Sequence, residues 1–478
     1  MGTEKKDRNL LYFVIYCIIA SLGWIIPPVD PITPAGMHLL GVFLAAVVAW
    51  TVTAEPWPSF LTIVLIPFTG ITDLAGLLSS SWGSDIGFFL VLLFAYVAFM
   101  ESTGTTTYIA AYLMTRKFLV GHPWRLIFMI FLTAWVLSTF CSNFPGMLIT
   151  WGIIYKICQI LGYKPFDKFP TLLIFGVAVM GALSLSTVPW ANNAIVILGA
   201  YMKMTGNMVN FGHYLLYTIP YGLSVIFAYM LMCKYLFKLD VSKLRELDPN
   251  VFTEEELRLT AERKITLVSL VVFILILLVP SLMPLDSPVR AVSDTMGLSL
   301  KVALLFVVLS LIKVDGKKVF EFGKLAVKGV PWNMIIMVVG ILSFVMLLGS
   351  PEAGISAFLG KVFTPIFAGK SVILFFILVA LITIFLTNFM INMVVAIIMI
   401  SATLPIATSL GIDPIQIVYL ITVCCTIALL LPAASPASSV LFANTQWVRA
   451  KDVYKYGIPT VLMMALFALL WNVLIFLF

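Results

Sequence analysis

Apolar runs of roughly twenty residues recur from one end of this chain to the other, among them Leu10–Ile26, Gly36–Val52, Ile265–Leu282 and Gly457–Phe478. A helix of that length crosses the hydrocarbon core of a bilayer, about 30 Å thick. The composition agrees. Of the 478 residues, 62% are hydrophobic and 11% charged, where soluble domains carry about 25% charge, and the mean hydropathy is +1.09. The chain is therefore expected to be an all-α polytopic membrane protein with no separate soluble domain. The first run follows a basic N-terminus, as a signal peptide would, but Trp24 and Pro27-Pro28 stand where small residues would mark cleavage, so it reads as a membrane helix. None of the six cysteines forms a CxxC or Cys/His ligand pattern, which argues against a disulfide framework or a metal site.

Polar residues break these runs at two echoing places. Leu137–Thr150 reads LSTFCSNFPGMLIT, and Leu386–Met399 reads LTNFMINMVVAIIM at an offset of 249 residues. Leu137 pairs with Leu386, Ser138 with Thr387, Phe140 with Phe389 and Asn143 with Asn392. Each is followed by a second break, SLSTVPWANN (184–193) and LLPAASPASS (430–439), with Pro189 and Pro436 at a matching offset of 247. Unsatisfied polar groups are costly in hydrocarbon, so such breaks persist only inside protein or along a wet cavity. At corresponding points of two halves they mark a transporter's binding site.

Taken in order, the sequence predicts helices at 10–26, 36–52, 60–78 and 86–100, then an amphipathic interfacial segment at 105–120. A first re-entrant hairpin (123–161) and two further helices (169–202, 213–237) follow, the former holding the first break. After a charged loop (239–264) come helices at 265–282, 298–312 and 331–348, a second hairpin (372–410), a broken helix (415–442) and a last helix (457–478), giving about eleven spans and two hairpins. With the N-terminus inside, 24 of the 29 Lys and Arg residues fall on the cytoplasmic side, which fits the positive-inside rule. This explains the net charge of +7 without nucleic acid and puts the C-terminus outside. It also opens the two hairpins to opposite faces, as inverted repeats require. With no organelle signal recognised, the plasma (bacterial-type inner) membrane is the expected location.

These residues resemble the divalent anion:sodium symporter family of the wider ion-transporter superfamily. The resemblance spans nearly the whole chain and rests on ITPAGMHLLGVFLAAVVAW (32–50), MESTG (100–104), KGVPWNMIIMVVGILSF (328–344) and the four polar breaks. It implies a homodimeric elevator transporter, with scaffold segments at 1–120 and 265–368, transport segments at 121–240 and 369–478, and a loop between the repeats at 241–264. It also implies a sodium site at Ser138, Ser142, Asn143 and the backbone near Thr187, and a second at Thr387, the Met390 backbone, Asn392 and the backbone near Ala434. Substrate would meet Asn143, Phe144, Val188, Pro189, Asn392, Met393, Ser435 and Pro436. Where the family carries threonines at its tips and Thr-Pro turns, this chain has Phe144, Met393, Val188-Pro189 and Ser435-Pro436. A more apolar pocket favours a monocarboxylate or a bulkier, less polar acid.

The residues alone lead to compatible chemistry. The acidic residues lie in loops or near helix ends, as do His38, His122 and His213, so a proton relay has no obvious members. What remains are hydroxyls, amides and freed backbone groups. Helix N-termini suit an anion, whereas carbonyls with Ser, Thr and Asn oxygens suit sodium. An interhelical hydrogen bond would explain a single membrane asparagine, but Asn143 and Asn392 at matched positions point to a site. The expected activity is secondary active transport of a small organic anion by sodium-coupled symport, with a sodium-independent exchanger as the alternative and no cofactor. An intramembrane enzyme would need a nucleophile with its base, paired aspartates or a metal cluster, and none is visible in the sequence.

Overall fold

The computed structural model describes residues 2–53, 55–141, 143–246, 253–284, 286–367, 371–432 and 434–476. In chain order the helices begin with α1 (Gly2–Ile25), α2 (Pro34–Val52), α3 (Trp57–Leu65), α4 (Leu74–Ser80), α5 (Asp85–Ser102) and α6 (Thr105–Met114). The first hairpin is α7 (Pro123–Phe140) with α8 (Asn143–Leu161), and the first broken helix α9 (Lys168–Ser184) with α10 (Asn192–Thr205). Next is α11 (Phe211–Leu231), closed by a π turn over Met232–Leu236. Then come α12 (Glu254–Leu257), α13 (Ala261–Leu282), α14 (Pro288–Met296), α15 (Ser299–Leu311), a small ribbon of β1 (Lys313–Val314) and β2 (Lys317–Lys318), and α16 (Phe322–Gly329). The chain continues through α17 (Trp332–Gly349) and α18 (Ile355–Phe367) to the second hairpin, α19 (Val372–Thr387) with α20 (Asn392–Ser409). The second broken helix is α21 (Pro414–Cys424) with α22 (Pro436–Ala443), and α23 (Ala450–Ile475) is the last.

Among the described residues, nine helices are long and apolar enough to cross a membrane, or ten if α14 and α15, bent by 86°, form one span. The helices expected at 10–26 and 169–202 and the first arm of the second hairpin fall among shorter apolar helices. The expected helix 60–78 is divided. Pro67 lacks an N–H and Gly70 sits at φ +82°, so α3 ends in a 3₁₀ turn (Ile66–Thr69) before α4 begins. α14 and α18 are helices in stretches that hydropathy alone assigns to loops.

The helices group into two compact units. One comprises Met1–Val91, Ile195–Val209 and Pro331–Cys425. Within it α1 packs along α2, where Gly23 and Gly41 meet: a Cβ on Gly41 would lie 2.8 Å from Gly23 Cα, so only small residues permit this approach. α17 packs against α2, α3 and α20, and the second hairpin packs on α21. The other unit comprises Leu92–Ala194, Asn210–Val330 and Thr426–Phe478. Its centre is α9, buried from Phe169 through Ser184, because a helix apolar all round must be covered on every side. α7, α8 and α22 surround it, and α11 packs on α7 and α23.

Candidate functional site

The first tip lies in the second unit. The backbone of α7 closes with Cys141 N–H on the Leu137 carbonyl at 2.9 Å, and α8 starts at Asn143. Pro145 sits in its first turn, where a missing N–H leaves no gap in the helix ladder. The arms meet at Gly146, where an added Cβ would stand 2.7 Å from Ser138 N and 2.9 Å from Leu137 C. Ser138 is buried, with its hydroxyl 3.4 Å from the Asn143 carbonyl. The Asn143 amide reaches α9, where Nδ2 donates to the Gly181 carbonyl and to Ser184 Oγ at 3.1 Å. A flipped amide would set Oδ1 against the Gly181 carbonyl, two acceptors face to face, so the orientation is fixed. Oδ1 is left buried with no hydrogen-bond partner among the described residues. Such an atom costs about 1–3 kcal/mol unless something binds it. Ser142, expected beside it, lies outside the described residues.

Thr187 lies beyond Ser184 where α9 unwinds, but its oxygens have protein partners. Its hydroxyl accepts Trp135 Nε1–H at 2.7 Å, and its carbonyl accepts the Thr218 hydroxyl at 2.7 Å. One turn earlier on α11, Tyr214 donates to the Ser186 carbonyl at 2.5 Å. Tyr214 and Thr218 thus satisfy two carbonyls that the break frees. Thr218→Val removes the bond to the Thr187 carbonyl, together with the hydroxyl's longer contact to the Tyr214 carbonyl at 3.1 Å, at nearly constant volume and is expected to destabilise the protein by about 1–2 kcal/mol, read as a lower denaturation midpoint in detergent. An unchanged midpoint would remove this role.

Val188 and Pro189 are buried, and Trp190 packs on Phe211 and Phe273. In the second break Ser435 Oγ donates to the Ala428 carbonyl at 2.7 Å and caps Ser438 N–H at 3.1 Å. Ser438 and Ser439 hydroxyls take the Leu431 and Pro432 carbonyls. Ala434 is buried and Pro436 exposed. Ser186 Oγ lies 3.1 Å from Thr426 Oγ1, so the two breaks of this unit touch. Phe144 is 43% exposed.

The second tip lies in the first unit. Thr387 Oγ1 is 2.9 Å from Asn392 Oδ1 and 2.6 Å from the Cys425 carbonyl. One hydroxyl proton thus serves two acceptors, and the Asn392 and Cys425 oxygens both gather around Thr387 Oγ1. Met390 is half-buried and Met393 fully buried. The structure therefore brings Ser138 and Asn143 together at one tip and Thr387 and Asn392 at the other. Gly181, Ser184 and the Cys425 carbonyl join them although the sequence reading does not single them out. Ser184 is the one with a signal to follow, since it opens the SLSTVPWANN motif.

Helical hairpins with oxygen-lined tips and interrupted membrane helices define a membrane transporter rather than an enzyme. Residues 45–366 match the sequence profile of the citrate transporter family (CitMHS), and the chain belongs to that family. Among similar curated proteins are the Na(+)/dicarboxylate cotransporters 3 of Rattus norvegicus and Homo sapiens, each 30% identical over 135 residues. A Caenorhabditis elegans protein, sodium-dependent low-affinity dicarboxylate transporter 1, is 28% identical over 130 residues. The first two alignments cover 28% of this chain and only 22% of those relatives, the third 27% and 21%. The crystal structure of the Alcanivorax borkumensis YdaH transporter matches with a TM-score of 0.56 at 14% identity, covering 84% of this chain and 86% of that one, and so shares the fold.

Proposed function

We propose that this chain carries a small organic anion, a di- or monocarboxylate, across the membrane together with sodium. The observation that carries this reading is the buried Asn143 Oδ1, held in place by the two bonds of its own amide nitrogen and left without a partner among the described residues. A sodium ion, as cargo, would supply that partner. The Thr387, Asn392 and Cys425 oxygens offer a second cluster. The anion would use the N-terminal end of α10, since at α22 Pro436 has no N–H and Ser435 already caps Ser438 N–H. Val188, Met393 and Phe144 in place of hydroxyls favour an acid with an apolar portion. The family resemblance supports an elevator movement of the segments 121–240 and 369–478 in a homodimer, with the N-terminus cytoplasmic and the C-terminus outside.

A sodium-independent exchanger is the second reading, favoured by the second tip, where Thr387 already ties Asn392 to Cys425. Uptake of labelled mono-, di- and tricarboxylates into proteoliposomes, with and without an inward sodium gradient, separates the two. Symport predicts accumulation that follows the gradient and ranks the acids. Uptake that needs internal anion but ignores sodium would replace symport by exchange.

A further inference from the structure

We propose that the recess between the start of α7 and the end of α11 binds the phosphate headgroup of an anionic phospholipid. The recess has a volume of 540 Å³ and is lined by Trp124, Lys234, Lys238, Asp240, Ser242 and Arg245 among others. Lys234, Lys238 and Arg245 are exposed and form no ion pair among the described residues. Asp240 is the one carboxylate in the lining, and Ser242 N–H bonds to it at 2.9 Å and holds it ionised, so three cations face one anion. Lys168 and Lys243 stand close by, the first with Nζ 3.4 Å from the Lys238 carbonyl.

Two local features show that the chain bends its own rules to build this cluster. The π turn Met232–Leu236 widens the end of α11 and re-aims Lys234, whose ammonium stands 5.8 Å from the Trp124 ring centroid. Lys238 then takes φ +47°, while Phe237 N–H bonds to Met232 and Leu239 N–H to Cys233. That is a helix C-terminal position where glycine is usual and a side chain is strained. A lysine there puts an ammonium into the recess at the expense of backbone comfort.

A soluble phosphate would satisfy the cations alone. Tyr235 and Leu236, 65% and 59% exposed beside Lys234, favour the lipid, whose glycerol and acyl portions would cover them.

The test is native mass spectrometry of the full-length protein released from vesicles of equimolar phosphatidylglycerol and phosphatidylcholine. The wild type should retain phosphatidylglycerol preferentially, and Arg245→Gln and Lys238→Gly should each weaken that retention about fivefold. Lys238→Gly removes the cation while relaxing the backbone, so its melting temperature should hold or rise, and lost lipid could not be ascribed to unfolding. Equal retention of the two lipids by the wild type, or unchanged retention in Lys238→Gly, would overturn the proposal. So would displacement of phosphatidylglycerol by inorganic phosphate in vesicle-free detergent, which would make the occupant a soluble anion.

Discussion

The Asn143→Ala variant is expected to need roughly ten- to hundredfold more sodium for half-maximal uptake, the range set by losing a polar contact to a charged group. The fold should survive the change. Ser184 Oγ already donates to the Gly181 carbonyl at 2.7 Å, so removing the Asn143 amide leaves no bare acceptor on α9. Ser184→Ala should have a smaller effect on the same curve, because it frees the amide to swing while Gly181 still holds one of its hydrogens. The measurement is initial uptake against external sodium in proteoliposomes, with protein orientation and amount held equal. A sodium curve unmoved by Asn143→Ala would sink the assignment of Oδ1 to the cation and return the residue to a helix-packing role.

Gly146→Ala should disable the first tip by a different route. The new methyl would stand 2.7 Å from Ser138 N and 2.9 Å from Leu137 C. Both are backbone atoms of α7, which cannot yield as a flexible side chain would. The arms must part at the place that orients Ser138 and Asn143, costing about 1–3 kcal/mol as overpacking does and lowering both melting temperature and transport. Gly152→Ala is the internal control. It lies on the same helix with nothing within 4 Å of its added methyl, so it should be neutral or stabilising by about 0.5–1 kcal/mol. Matching behaviour of the two variants would show that the tip has room that this geometry denies.

Much of this architecture is legible in the amino-acid sequence. The ends of α7 at Phe140 and of α19 at Thr387 follow from polar residues in apolar runs, and the repeat offset singles out Asn143 and Asn392. Hydropathy averaging is blind to single residues, and so it carries one helix through Pro67 and Gly70 and passes over the sharp bend between α14 and α15. It is blind also to main-chain partners. Cys425 contributes through its carbonyl, and any residue type would present the same group there.

The sequence by itself determined the medium, the helical class, the two-fold layout and the two asparagines, because hydrocarbon constrains every polar residue placed within it. Only the tertiary structure decided which partners those asparagines meet. Gly181 and Ser184 are 38 and 41 residues from Asn143 along the chain. Whether an amide oxygen is left over depends on which partners its nitrogen finds, and that is fixed by how α8 packs on α9.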